Sequence, residues 1–194
     1  MIYLASSSPR RRVLLRQAGL RYKILRPSYE EKNHGGSALF LTKRHALGKA
    51  MSVMPRVREG LILGADTVVV SGGRILGKPS SMKAAERMLG GLQGRTHAVV
   101  TAVALIRMRR GWPAKQIVFT EKSSVRLKKM AVPELRAYLR RIGPLDKAGA
   151  YAAQDSGGPS TSSGSGAVER VRGSFTNVVG LPMEKLKKML RVLR

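Results

Sequence analysis

The sequence predicts an α/β fold with a mixed central sheet. Apolar runs of strand length interleave with segments whose apolar residues recur at helical spacing. Glycine-bearing turns join some of those runs as hairpins, so the sheet cannot be purely parallel. Hydrophobic residues make up 43% of the 194, enough for the packed core of a single domain over 1–194. There is no internal repeat, and the 21 glycines show no triplet period, which excludes a collagen-like fibre.

Residues 2–5 read as a short buried strand. Ser8 then suits a helix N-cap and Pro9 the first helical position. Leu14, Leu15 and Ala18 recur at helical spacing over 10–18, and Gly19 fits the stop. Residues 21–26 alternate like a strand, and 30–36 form a loop. A helix is expected over 37–53, with Leu39, Ala46, Ala50 and Val53 on one face. The β-branched run 61–70 is a strand, and Gly72-Gly73 turns it into a second strand at 74–76. Residues 81–89 read as a helix ended by Gly90-Gly91. Two long antiparallel strands, 96–108 and 116–127, are expected around Gly111-Trp112-Pro113. A helix at 133–141, a Gly/Ser-rich mobile loop at 155–166, strands at 168–171 and 175–179, and a basic helix at 182–193 complete the chain.

Composition limits the classes of function. With 37 Lys+Arg against 11 Asp+Glu the formal net charge is +26, which favours polyanionic company. Most of the basic runs are expected to be solvated faces. The absence of cysteine excludes a disulfide scaffold and thiolate zinc sites. No segment approaches the ~18 apolar residues that would span a bilayer, and the N-terminus lacks a basic leader. A cytoplasmic location is therefore expected, with no membrane partner.

The scarcity of acids gives each one weight. Asp66 lies inside the apolar run 61–70, where a carboxylate costs several kcal/mol unless it is paired or bound to metal. It is either a functional group or a strand-end Asp that caps a bulge. Ser6, Ser8, Arg10 and Arg11 share one turn at a helix start. Free N–H groups, hydroxyls and guanidinium forks there suit a triphosphate. Lys49 and Lys78 are weak candidates singly, although Lys78 sits between Gly77 and Pro79. Glu30-Glu31 either shares a divalent cation with Asp66 or offsets charge. Asp146-Lys147 with Gln154 either frames a base-reading pocket or is a loop ion pair. His34, His45 and His97 lack metal-ligand spacing, and no Walker loop or dinucleotide glycine fingerprint occurs.

Taken together, the motifs Leu4-Ala5-Ser6-Ser7-Ser8-Pro9-Arg10-Arg11, Gly64-Ala65-Asp66-Thr67, Gly77-Lys78-Pro79, Asp146-Lys147-Ala148-Gly149-Ala150-Tyr151 and Asn177-Val178-Val179-Gly180-Leu181-Pro182 resemble, in order, those of Maf proteins. The resemblance covers nearly the whole chain. It implies a mixed sheet bent around a cleft, as in inosine triphosphate pyrophosphatases. It also implies cleavage of a nucleoside triphosphate to the monophosphate and pyrophosphate with Mg²⁺ or Mn²⁺, and often a homodimer. By the same resemblance Asp66 matches the proton acceptor, and Ser8, Arg11, Glu31, Lys49 and Lys78 match phosphate- and metal-site positions. Arg10, Thr67 and Gln154 match the pyrimidine type, which acts on dTTP and UTP. The segment 155–166 departs from the family's short glycine turn by its length and its Ser/Gly content.

In the mechanism this implies, Glu31 and Asp66 hold the metal, and Arg11, Lys49 and Lys78 stabilise the leaving pyrophosphate. The competing expectation is a basic nucleic-acid-binding protein that has kept the fold without turnover. Against that reading, aromatic residues are only 5% of the chain and do not interleave with the basic runs.

Overall fold

The computed structural model describes residues 1–32, 35–154 and 166–193. The expected loop at 155–166 lies, but for Gly166, outside the described residues, as does His34. In chain order the elements are β1 (Ile2–Ala5), α1 (Pro9–Gln17), β2 (Tyr22–Ile24), α2 (Ala38–Met51), β3 (Gly60–Ser71), β4 (Arg74–Leu76) and α3 (Met82–Leu92). There follow β5 (Thr96–Arg109), β6 (Trp112–Leu127), α4 (Val132–Ile142), β7 (Val168–Arg172), α5 (Phe175–Val179) and α6 (Met183–Val192). Strand order is β2-β1-β3-β5-β6-β7, with β4 paired to β3. β1 runs parallel to β2 and β3, while β3/β4 and β6/β7 are antiparallel, so the sheet is mixed as expected.

The chain divides into two compact units. The first comprises Met1–Thr67, Thr101–Glu121 and Gly180–Arg194. Its core gathers Ala5 of β1, Ala46 and Ala50 of α2, Ile62 of β3, and Ala102, Ala104, Ile106 and Met108 of β5. So many alanines let helix and sheet approach closely. The tightest point is Gly64, where a Cβ would stand 2.3 Å from the Ala46 carbonyl oxygen and 2.9 Å from the Ala50 nitrogen. Only a residue without a side chain permits α2 to lie on β3 at this distance.

The second unit comprises Val68–Val100 and Lys122–Val179. Here α3 packs on α4 and on the 3-10 turn Ala148–Ala150. Tyr138 of α4 accepts a hydrogen bond from the Ala152 amide at 3.0 Å. His97 of β5 meets the Tyr151 hydroxyl at 2.9 Å, with the two rings edge to face. Burial lowers the His97 pKa to about 4 and raises that of Tyr151.

Several local expectations need correction. Residues 175–179 form a helix, not a strand: Ser174 Oγ accepts the Asn177 N–H at 3.1 Å and starts the turn. The Asn177 side chain then donates to the Val99 carbonyl and Ser123 Oγ, which ties the helix down against its β-branched propensity. α3 runs through Gly90-Gly91 to Leu92, because burial of Leu89 and Leu92 outweighs the ~1 kcal/mol cost of each helical glycine. The β5–β6 turn is Arg110-Gly111, and Trp112-Pro113 already belong to β6. β2 is only Tyr22–Ile24, and α2 stops at Met51. Leu39 is exposed; the inner face of α2 carries Leu41, Thr42, His45, Ala46, Lys49 and Ala50.

Candidate active site

The first unit brings the serine turn, the base of α2 and the centre of β3 together. Residues after β1 must leave the sheet sharply, and Pro9 opens α1 with its φ already helical. Ser8 occupies the N-cap position with extended backbone, but its hydroxyl caps nothing. The Ser8 N–H instead donates to Ser6 Oγ at 3.2 Å. The serine that organises the turn is therefore Ser6, and the Ser8 hydroxyl is not committed to the helix.

Arg11 is the turn's fixed cation. It is buried, and its guanidinium donates in three directions. Nε reaches the Gly180 carbonyl at 2.9 Å, Nη1 reaches Ser6 Oγ at 3.0 Å and Nη2 reaches Thr67 Oγ1 at 3.3 Å. Thr67 in turn meets Thr101 Oγ1 of β5 at 3.0 Å. Burial draws the guanidinium below its ordinary pKa; Asp66 and Glu31 oppose that pull, and Arg10 adds to it. Arg11 thus sits in the field of both carboxylates, held by neutral acceptors. Gly180 has φ +122, a backbone conformation that favours glycine, and this is what turns its carbonyl toward Arg11.

Lys49 is the second cation. Its Nζ contacts Asp66 Oδ1 at 2.7 Å and Glu31 Oε1 at 2.7 Å. Asp66 is 9% exposed in its side chain and Glu31 is 44% exposed, so one carboxylate is internal and the other faces solvent. The Gly64 contact explains the meeting. With α2 pressed on β3 at Ala46 and Ala50, Lys49 lies one turn along and opposite the residue two places after Gly64. Asp66 is accordingly a paired internal carboxylate, not the cap of a strand-end bulge.

The donor set suits a hard divalent cation. The two carboxylate oxygens, each 2.7 Å from Nζ, are at most twice that distance, 5.4 Å, from one another. Among the described residues there is no group of three or more His, Cys, Asp or Glu placed to hold a metal. Two carboxylates, with water and phosphate oxygens completing the shell, is the way Mg²⁺ is commonly bound.

Of the other expected residues, Arg10 follows Pro9 on the same turn of α1. Lys78 and Gln154 belong to the second unit, where both are exposed. The Gly77 carbonyl next to Lys78 accepts the Gly149 N–H at 3.1 Å, which joins two of the sequence motifs. Asp146-Lys147 is the loop ion pair: Lys147 Nζ lies 2.6 Å from Asp146 and also donates to the Ile142 and Gly143 carbonyls that end α4. The Lys147 side chain thereby ties this loop to the last carbonyls of α4. Glu30 pairs with Lys32 at the surface. Thr101 escaped sequence reasoning, since a lone hydroxyl inside a long apolar strand carries no motif. Gly180 was visible only as part of a motif, without a task.

An α/β protein with a buried guanidinium in a serine turn, beside an acid–lysine–acid bridge, is the class these features define. This chain belongs to the Maf family, whose model, described as Maf-like protein, matches residues 1–193. It is 39% identical over 190 residues to a dTTP/UTP pyrophosphatase of Symbiobacterium thermophilum, covering 97% of this chain and 92% of that one. It is 41% identical over 190 residues to a dTTP/UTP pyrophosphatase of Gloeobacter violaceus, covering 97% and 94%. Among solved structures, a HAM1 protein from Coxiella burnetii is similar at a TM-score of 0.45 and 16% identity, over 65% of this chain and 72% of that one.

Proposed function

We propose that this chain hydrolyses nucleoside triphosphates to the monophosphate and pyrophosphate, with dTTP and UTP preferred. The observation that carries the reading is the Asp66–Lys49–Glu31 bridge in the same unit as the buried Arg11. The names of the relatives at about 40% identity agree with it.

In this reading the triphosphate lies at the serine turn, where the first N–H groups of α1 and the Arg10 and Arg11 guanidiniums face its oxygens. Water attacks the α phosphorus, the bond from Pα to the bridging oxygen breaks, and pyrophosphate departs with the electron pair. Asp66 takes the proton of the attacking water. Lys49 and Arg11 lower the cost of charge moving to the leaving group, and Lys78 adds a third cation. Glu31 and Asp66 would hold Mg²⁺ or Mn²⁺, which neutralises phosphate charge when bound. Arg10, Thr67 and Gln154 select the base. The same reading takes the chain as cytoplasmic; among the described residues no helix is long and apolar enough to cross a membrane.

The test is pyrophosphate release from a panel of natural and modified triphosphates, with and without Mg²⁺. Turnover of dTTP and UTP well ahead of ATP and GTP is expected, and purine preference refutes the assignment of Arg10, Thr67 and Gln154. Asp66→Asn should cost two or more powers of ten in turnover, about 3 kcal/mol of barrier, with the far-ultraviolet dichroism unchanged. Turnover near normal in that variant removes Asp66 from the chemistry.

A further inference from the structure

The hydrolytic reading leaves one conspicuous surface feature without a task. Trp112, the only tryptophan of the chain, is 78% exposed at the tip of the β5–β6 hairpin. A large ring is usually kept from water, and here Arg109 and Arg110 precede it in the chain, with the Glu59 carboxylate also at the tip. Arg109 ends β5 and Trp112 begins β6, so the two flank a two-residue turn and stand opposite each other. The turn itself is Arg110-Gly111, with φ 50 and 87. Asn, Asp or Gly is the usual occupant of the first position, so an arginine is held there in a left-handed conformation that disfavours it. The tip is also anchored. The Gly111 N–H donates to the Arg58 carbonyl at 2.9 Å and the Arg110 N–H to Glu59 Oε1 at 2.6 Å. Further along β6, Lys115 is exposed and reaches the Val192 carbonyl.

We propose that this hairpin tip binds single-stranded nucleic acid, with a base stacked on Trp112 and backbone phosphates held by Arg109 and Arg110. A rigid aromatic face beside guanidiniums is the combination that single strands select, since every base has a π-face and every linkage a charge. A second copy of the chain is a poor occupant, because 11 acids against 37 bases leave little to complement a cationic tip. An anionic membrane is also disfavoured: Pro113 and Ala114, which follow the ring, offer no long apolar side chain to insert beside it.

Trp112 supplies its own readout. Titration of the full chain with oligothymidylate of about 15 nucleotides at low salt should quench tryptophan emission. Raising salt from ~50 to ~200 mM should weaken binding by about 7-fold, as two phosphate contacts to a single strand require. By anisotropy of a labelled oligonucleotide, Trp112→Ala should lose roughly 5- to 150-fold in affinity, the range of one stacked base. Trp112→Phe, which keeps an aromatic face, should retain most of it. Arg109→Ala with Arg110→Ala should reduce the salt slope by about 1.4, roughly 0.7 for each phosphate contact of a single strand. Saturating UTP should leave the oligonucleotide affinity unchanged, and pyrophosphate release should be normal in every one of these variants. The proposal is overturned by affinity indifferent to Trp112→Ala, by equal or tighter binding of duplex, by competition with UTP, or by quenching with anionic vesicles and not with oligonucleotide. None of these outcomes depends on whether the chain hydrolyses nucleotides.

Discussion

A guanidinium is expensive to bury, and Arg11 is buried with neutral acceptors in three directions. That arrangement fixes the guanidinium in place, in the field of Asp66 and Glu31. Lysine cannot reproduce the geometry, since one ammonium cannot reach Ser6, Thr67 and Gly180 in the directions of a planar fork. Arg11→Lys should therefore lower kcat/KM for UTP by about 100-fold, from the loss of two or so charged hydrogen bonds, as read by pyrophosphate release. A loss under threefold would show that only the charge matters. Asp66 stood out in the sequence because it interrupts an apolar run in a chain with few acids. Its partner was harder to read, because helix position alone does not distinguish Lys49 from a solvated lysine. What decides is the depth of α2 against the sheet, a tertiary quantity.

Gly64 sets that depth at the scale of elements. Adding one methyl there brings it against backbone atoms of α2, which cannot swing aside as a side-chain tip could. Gly64→Ala should cost about 1–3 kcal/mol in urea unfolding. It should also reduce turnover, because moving α2 displaces Lys49 from Asp66. Loss of stability with full turnover would separate the two elements from the site. Strands, helices and most of their order were legible from periodicity, caps and glycine turns. Reading failed where local preference and packing disagree. The segment Phe175–Val179 has strand-like residues yet folds as a helix around the buried Asn177. Gly90-Gly91 look like a stop yet lie within α3, because two buried leucines flank them. Ser8 has the N-cap position, but Ser6 takes the hydrogen bond that holds the turn.

At the scale of the molecule, stability should carry a signature of one buried ring. His97 is 4% exposed, and burial lowers its folded pKa to about 4 from 6.5. Between those values the unfolded chain binds the proton and the folded chain does not, so stability rises with pH there. Acidification from pH 7 to 4.5 should cost the protein about 2 kcal/mol through this group. His97→Gln, which still offers a polar group to Tyr151, should lose less by that amount in urea unfolding at the two pH values. Parallel losses would assign the acid sensitivity to other groups. The route of the chain has its own consequence. It passes from one unit to the other at residues 67, 100, 121 and 179, and three of those passages fall inside β3, β5 and β6. Neither unit is a continuous stretch of sequence, so no truncation yields either alone. A half-sized fragment would always carry severed strands with open edges, and even joining the termini by circular permutation would leave each unit in two pieces of chain.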